Sequence, residues 1–369
     1  MKVLLLGFGK IAYMPYMSFY LDTFKQNENI EFELIYWDRD GKPDAPIPER
    51  VSKAYRFEAY LEEQLPFSKK LKFFAKYRRF ALKILKNTNY DRIIVLQATP
   101  GLTLLDYLIR RYKGRYLLDF RDLSYENISI YRKLVGLLSE NSGMTLISSG
   151  AFRKYLPESE KIWMVHNFLE ESLLHQGIRE RSNRERSVIR ISFWGLIRQA
   201  EINKALIDAL GNDKRFELHY YGRMQQAGRE MEHYSRENGY ANVFFHGAYM
   251  PADRYDFAER TDIIHNIYEC DFRTGNATGN KYYDGIIFRI PQICSKGSYM
   301  GDIVTEMGVG KAVSMNGIAD ELWQYYQTID WKVFDSKCEE ALQSILDEQE
   351  ETRNQLNVFI QEVQVKKSI

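Results

Sequence analysis

Lys281 and Asp284 stand three residues apart, a spacing that puts a cation and a carboxylate on one face of any helix containing them. Such a pair suits a ligand with phosphates and vicinal hydroxyls, because the ammonium meets phosphate oxygens while the carboxylate accepts from hydroxyls. Both lie in the run NATGNKYYDGIIFRIP, Asn276 to Pro291. There a polar, glycine-containing loop up to Asn280 leads into an expected helix, which ends near Pro291 ahead of a short strand at Gln292 to Cys294. Free backbone N–H groups at the helix start would add to the attraction for phosphate. An ordinary surface ion pair has the same spacing, so the two residues alone leave both readings open.

The longer string NKYYDGIIFRIPQICS resembles the donor-sugar motif of family 4-like glycosyltransferases of the GT-B fold, the bacterial surface and capsular polysaccharide type. The resemblance implies that Asp284 contacts a nucleotide ribose, with Asn280 and Lys281 just before it. Two positions depart from the motif: Arg289 replaces the glycine before the proline, and Asn276 sits where many members carry a first glutamate.

The elements that would position these groups follow in the second half of the chain. Strands are expected at Val188 to Trp194, Phe216 to Tyr221, Val243 to His246 and Asp262 to Ile267, alternating with helices. Turns at Gly195, Gly222 and Gly247 would then gather on one edge of a parallel sheet. In SFWGLIRQAEIN the resemblance implies a loop that sends a basic residue to the diphosphate. The usual cation positions hold Leu196 and Glu201, and Arg198 is the nearest cation. The donor-binding set is Gly195, Arg198, Gly222, Tyr249, Asn280, Lys281 and Asp284.

The first half opens with a strand at Lys2 to Leu6, the loop GFGKIA, a helix from about Tyr16 to Phe24 and a strand ending at Asp38. Gly7, Gly9 and Ala12 satisfy the dinucleotide fingerprint, and Asp38 stands where a ribose carboxylate belongs. A nicotinamide oxidoreductase is therefore one alternative. GT-B first domains open the same way, which puts Gly7 and Gly9 in an acceptor-side cleft. The string YLLDFRDLS adds Asp119, Arg121 and Asp122 at the end of a strand, where ligand crevices form, although an internal Arg–Asp pair fits equally well. His166 and Asn167 mark the exit from this half, followed by a charged stretch from Gly177 to Ser187 that reads as a linker.

From Pro66 to Lys86, the cations Lys69, Lys72, Lys76, Arg79, Lys83 and Lys86 recur at three and four, beside an apolar stripe of Phe73, Tyr77, Phe80 and Ile84. Such a helix can lie on an anionic membrane surface with rings and lysines together, or it can be a solvated face over a packed core. No nucleic-acid motif accompanies it.

The chain of 369 residues, 45% hydrophobic and 27% charged with net charge +1, is long enough for two domains and too apolar for disorder. Three cysteines without metal spacing point to a reducing compartment. No run of about 18 apolar residues is present. The expected architecture is α/β, two Rossmann-like domains facing each other across a cleft in the GT-B manner. Residues 1–166 form the acceptor-side domain and 167–345 the nucleotide-sugar domain, and a helix over 346–369 returns to the first.

The resemblance implies a hexosyltransferase-like enzyme of polysaccharide biosynthesis, while the cysteine usage and the basic stripe lead to the expectation of a cytoplasmic protein, peripheral on the inner face of the cell membrane. It would move a sugar from a UDP- or GDP-linked donor to a glycan or lipid-linked acceptor, with retention and without cofactor or metal. A non-catalytic sugar-nucleotide or glycan-binding protein is the other alternative, suggested by Leu196 and Glu201. No side chain announces itself as a catalytic base.

Overall fold

The structure, a computed structural model, describes residues 1–61, 67–178 and 187–367, with the backbone alone for 67, 68 and 363–367. Most of the expected linker, 179–186, and Pro66 lie outside the described residues. The chain divides into two compact units, residues 1–165 with the segment from 348 onward, and residues 166–347.

The first unit starts with β1 (Lys2–Leu6), whose Val-Leu-Leu-Leu run is wholly buried, as befits a strand covered on both faces. It continues through α1 (Ser18–Thr23), β2 (Glu31–Asp38), β3 (Val51–Glu58), α2 (Phe67–Asn87), β4 (Arg92–Leu96), α3 (Ala98–Thr103) and α4 (Leu105–Tyr112). Then come β5 (Tyr116–Phe120), α5 (Ser129–Glu140), β6 (Met144–Ile147) and β7 (Ile162–Met164). Among the described residues these strands form one parallel sheet in the order β3-β2-β1-β4-β5-β6-β7. The order reverses between β1 and β4, so the loops after these two strands diverge at a topological switch point.

Two features of this unit differ from the sequence reading. β3 is missing from that reading because VSKAYRFE buries little beyond Val51 and Phe57, the mark of an edge strand supported on one side. The helix expected from about Tyr16 to Phe24 is α1, Ser18–Thr23, and two 3₁₀ turns absent from that reading, Ile11–Tyr13 and Pro15–Met17, precede it.

The apolar stripe of α2 is committed to the fold. Tyr77 is fully buried, stacks on Trp37 with centroids 5.9 Å apart and donates its hydroxyl to the Gly7 carbonyl at 2.6 Å. Phe73 stacks on Trp37 at 6.4 Å and Phe80 packs on Phe57 at 5.4 Å. The rings are therefore engaged in packing, Tyr77 wholly and Phe73 and Phe80 in part, whereas all six cations of the stripe are exposed.

The second unit holds β8 (Ile189–Trp194), α6 (Ala200–Leu210), β9 (Phe216–Tyr221), α7 (Gln226–Glu237), β10 (Val243–Gly247), α8 (Asp253–Glu259) and β11 (Ile263–Asn266). It closes with α9 (Asn280–Phe288), β12 (Gln292–Ser295), α10 (Tyr299–Glu306), β13 (Gly310–Val313) and α11 (Ile318–Gln327). Its described strands are parallel in the order β10-β9-β8-β11-β12-β13, reversing between β8 and β11. The last helix, α12 (Trp331–Lys367), gives Phe334, Cys338, Leu342 and Ile345 to the core of this unit, and Leu356, Phe359 and Ile360 to the core of the first.

Candidate functional site

The carboxyl edge of the second sheet brings Gly195, Gly222 and Gly247 into direct backbone contact. The Gly195 N–H donates to the Tyr221 carbonyl at 3.0 Å, and the Gly222 N–H to the Gly247 carbonyl at 2.7 Å. Gly195 has φ +127°, and a Cβ on Gly222 would lie 1.7 Å from the Gly195 carbonyl oxygen, so neither position accepts a side chain. The backbone loops after β8 and β9 thus close on one another.

Next to them, α9 is buried from Lys281 to Phe288, which explains why its composition shows no polar face. Its carboxyl end is capped by Arg289 in the left-handed region, φ +56° and ψ +47°, with Ile290 N–H donating to the Gly285 carbonyl at 2.9 Å. This is the conformation for which glycine is favoured after a helix. The departure from the family's glycine therefore changes the residue and keeps the turn, with Arg289 paired to Glu339 at 2.5 Å.

Lys281 and Asp284 share a face of α9 but not a partner. The Lys281 ammonium donates to the Tyr268 hydroxyl and lies 4.0 Å from the Phe193 ring centroid. Only 7% of the residue is exposed, and it has no ion pair among the described residues. A buried cation surrounded by rings and one phenol holds uncompensated charge, which an anion would relieve.

Asp284, 4% exposed, accepts from Trp194 Nε1 at 2.8 Å and has Arg254 Nη1 at 3.6 Å. Burial pushes its carboxyl above the usual range, against the pull of Arg254, Trp194 and Lys281. Arg254 in turn donates to Ser172 Oγ at 2.8 Å, and its Nε is buried without a hydrogen-bond partner among the described residues. The expectation of a ribose-facing carboxylate beside Lys281 thus meets a carboxylate already held by the indole of β8 and by α8.

The loop after β8 is held by groups that the sequence reading passed over. His265 is fully buried, and burial together with Lys281 holds its pKa down to about 3, so it is neutral. Its Nδ1 accepts from the Ile267 N–H at 2.9 Å, leaving Nε2–H to donate to Asn203 Oδ1 at 2.8 Å. The Asn203 amide then donates to the carbonyls of Arg198 and Gln199, at 3.2 and 2.9 Å. Gln199 sits at φ +59° and accepts from the Glu269 N–H at 3.3 Å. This relay ties together the loops that leave adjacent strands β8 and β11, and it leaves the Arg198 side chain exposed with no partner among the described residues.

The other sequence candidates are placed as follows. Asn280 is exposed and accepts from Asn167 Nδ2 at 2.6 Å, while His166 Nδ1 lies 3.1 Å from the Tyr283 hydroxyl. Tyr249 packs edge-on against Phe257 at 5.1 Å. Leu196 is 41% exposed, and Glu201 pairs with Lys204 at 3.2 Å.

In the first unit, Asp119 and Arg121 are buried and paired through Arg121 Nε at 2.9 and 3.0 Å, so the internal pair is the reading the structure supports. Asp122 is exposed and accepts from Gln97 Nε2 at 3.2 Å. Gly7 is closed off, since a Cβ there would lie 2.6 Å from Met14 Sδ, whereas Gly9 faces open space. The amides of Ile11 and Ala12 donate to the Asp44 carboxylate at 3.0 and 2.9 Å, and Asp38 pairs with Arg56 at 2.5 Å. At the dinucleotide fingerprint the amides of Ile11 and Ala12 and the carboxylate of Asp38 are therefore already engaged, and no α-helix follows the glycines directly.

No protein-family model matches the chain, and no curated protein does. Solved structures match over nearly its whole length. Sucrose-phosphate synthase from Thermosynechococcus elongatus superposes with TM-score 0.73 at 12% identity, covering 99% of this chain and 100% of that one. The fold is GT-B.

Anabaena HepE, solved in complex with UDP and glucose, matches this GT-B chain with TM-score 0.64 at 13% identity, over 97% of this chain and 99% of that one. A UDP-GlcNAc 2-epimerase from Methanocaldococcus jannaschii, solved with UDP-GlcNAc and UDP, gives TM-score 0.58 at 12% identity, over 94% and 99%. At such identities the similarity is one of fold. The GT-B architecture is shared by transferases and epimerases alike in this set.

Proposed function

We propose that the protein is a nucleotide-sugar-dependent glycosyltransferase whose second domain binds a UDP- or GDP-sugar. The observation that carries this reading is Lys281, a buried ammonium without a counter-ion among the described residues, at the β8–β11 switch point. Open α/β sheets bind ligands at such points, outside the carboxyl ends of the strands. Arg198, without a partner among the described residues on the loop after β8, supplies a second cation, and a guanidinium grips phosphate oxygens in a bidentate fork. Fixed cations that meet the departing diphosphate stabilise the charge developing there. In this reading Asp284 positions Trp194 and Arg254 beneath the nucleotide. The UDP and UDP-sugar complexes of the structural neighbours agree with a nucleotide sugar as the partner.

The acceptor we propose is a glycan, lipid-linked and bound for surface polysaccharide, with the enzyme peripheral on the cytoplasmic membrane face. The exposed cations Lys69, Lys72, Lys76, Arg79, Lys83 and Lys86 support that location by charge alone. Retention of anomeric configuration belongs to the same reading.

Titration of UDP, GDP, uridine and NAD into the wild-type protein and Lys281→Met tests the proposal. The nucleoside diphosphate should bind the wild type and lose about tenfold in the variant, as expected for one charge-assisted hydrogen bond, while uridine is little affected. Equal diphosphate affinity in both proteins would overturn it. Incubation with UDP-sugars then separates mechanisms: a free C2 epimer formed without acceptor would replace transfer by epimerisation, and binding without turnover would favour the non-catalytic alternative.

A further inference from the structure

At the switch point of the first sheet, between the loops after β1 and β4, lies a cavity of about 240 Å³. Its walls include Gly9 and Tyr13 from the first loop, Arg39 from the end of β2, Lys70 from the first turn of α2 and Gln97 from the loop after β4. The volume is below that of a typical site for a drug-sized ligand, about 300–1,000 Å³, so it suits a single substituent better than a whole substrate.

Among the described residues the charge balance of the cavity wall is positive. Lys10 and Asp40, both on its wall, neutralise one another at 2.5 Å, and the Lys10 ammonium also donates to the carbonyls of Lys42 and Pro43 at 2.8 and 3.2 Å. Arg39 and Lys70 remain, and neither has an ion pair among the described residues. Arg39 is held in place: its guanidinium carbon lies 4.8 Å from the Trp37 ring centroid and 5.2 Å from that of Phe8, and Nη2 donates to the Phe8 carbonyl. Nη1 has no hydrogen-bond partner among the described residues. The first turn of α2 carries no acidic side chain, so the positive end of its dipole adds to the same field.

The wall opposite is also preset. Gln97 has φ +76° and ψ +162°, a conformation that residues other than glycine rarely adopt. It is held there by its N–H on the Asp119 carbonyl at 2.8 Å and its side-chain amide on Asp122 at 3.2 Å. The buried Asp119–Arg121 pair thus anchors the strand end that fixes Gln97.

We infer that this cavity binds the phosphate group of a phosphorylated sugar, with Arg39 and Lys70 as its two cations. A phosphate monoester is close to a dianion at neutral pH and matches two uncompensated cations, and the guanidinium fork fits its oxygens. That the phosphate belongs to the acceptor rests on the transferase reading; that the cavity takes it does not.

The test is isothermal titration of glucose 6-phosphate, inorganic phosphate, glucuronate and glucose into the wild type, Lys70→Gln, Arg39→Gln and Lys281→Met, with UDP titrated into the same preparations. Glucose 6-phosphate should bind the wild type and Lys281→Met alike, and lose about tenfold in Lys70→Gln and Arg39→Gln. Glucose should fail to bind, and both cavity variants should keep the wild-type UDP affinity. Lys70 is partly exposed on a helix, so its variant remains informative if loss of the packed Arg39 impairs folding.

Absence of glucose 6-phosphate binding in protein that binds UDP would overturn this inference alone. So would unchanged affinity in Lys70→Gln, or glucuronate binding as tightly as the phosphate. Failure of UDP with glucose 6-phosphate binding intact would instead strike the transferase reading and leave the cavity assigned.

Discussion

Trp194 donates its indole N–H to Asp284 at 2.8 Å, joining the last residue of β8 to the middle of α9. Asp284 at the same time lies 3.6 Å from Arg254 Nη1, and all three groups are buried. Both oxygens of the Asp284 carboxylate therefore have a partner within the domain.

Asp284→Asn should accordingly act on stability. It leaves Arg254 without a counter-charge and weakens the bond to Trp194, a loss of about 1–3 kcal/mol in chemical denaturation. UDP affinity of the folded variant should change by less than about threefold. A much larger loss of affinity with the melting transition unmoved would return the carboxylate to the ribose.

Gly222→Ala and Arg289→Gly should move stability in opposite directions. The first places a methyl group 1.7 Å from the Gly195 carbonyl oxygen, so the two loops must part and the protein should be strongly destabilised or misfolded. The second relieves a left-handed residue that costs about 1–2 kcal/mol, set against the extra entropy of unfolded glycine, about 0.5–1 kcal/mol. A rise of a few tenths to about 1 kcal/mol in Arg289→Gly is expected. A fall would show that the partly exposed Glu339 ion pair matters more than surface pairs usually do.

His265 predicts an acid limit. Its folded pKa of about 3 lies below the ordinary 6.5, so unfolding takes up a proton between these values. The contribution is fully present above pH 6.5 and is lost as pH falls toward 3, by about 1.4 kcal/mol per pH unit within that window. Subtracting the stability curve of His265→Gln from that of the wild type should isolate this slope. Parallel curves from pH 6.5 to 4 would rule it out.

The stripe on α2 should bind membranes by charge alone, because its rings are packed inward. Each cation near an anionic surface contributes about 1 kcal/mol. Co-sedimentation with anionic vesicles should be abolished by high salt and by the combined Lys72, Lys76 and Arg79 to Glu variant, and neutral vesicles should not bind. Binding that survives high salt would require an apolar anchor elsewhere.

The strand and helix order was readable because buried parallel strands are continuous apolar runs, as in VLLL of β1 and IIVL of β4. β3 escaped because an edge strand need not be apolar. Of the site, Lys281 and the glycine edge were legible from spacing. Trp194, Tyr268, Arg254 and the His265–Asn203 relay were not, since their partners lie between 13 and 90 residues away in sequence. The Asp119–Arg121 pair shows the converse limit: residue types suited to chemistry at a strand end were, once folded, each other's counter-ions.

The division of α12 between two cores has a consequence for biosynthesis. Leu356, Phe359 and Ile360 complete the hydrophobic core that β1 and β2 begin, yet residues 166–347 are translated in between. At about 5–20 residues per second, the ribosome needs on the order of ten to forty seconds to cross that interval. Throughout it the first domain waits with the seat for these side chains open to water, whereas the second can close as soon as its own segment emerges. The domain encoded first is thus the one whose folding finishes last, and its nascent form is the natural client for a chaperone.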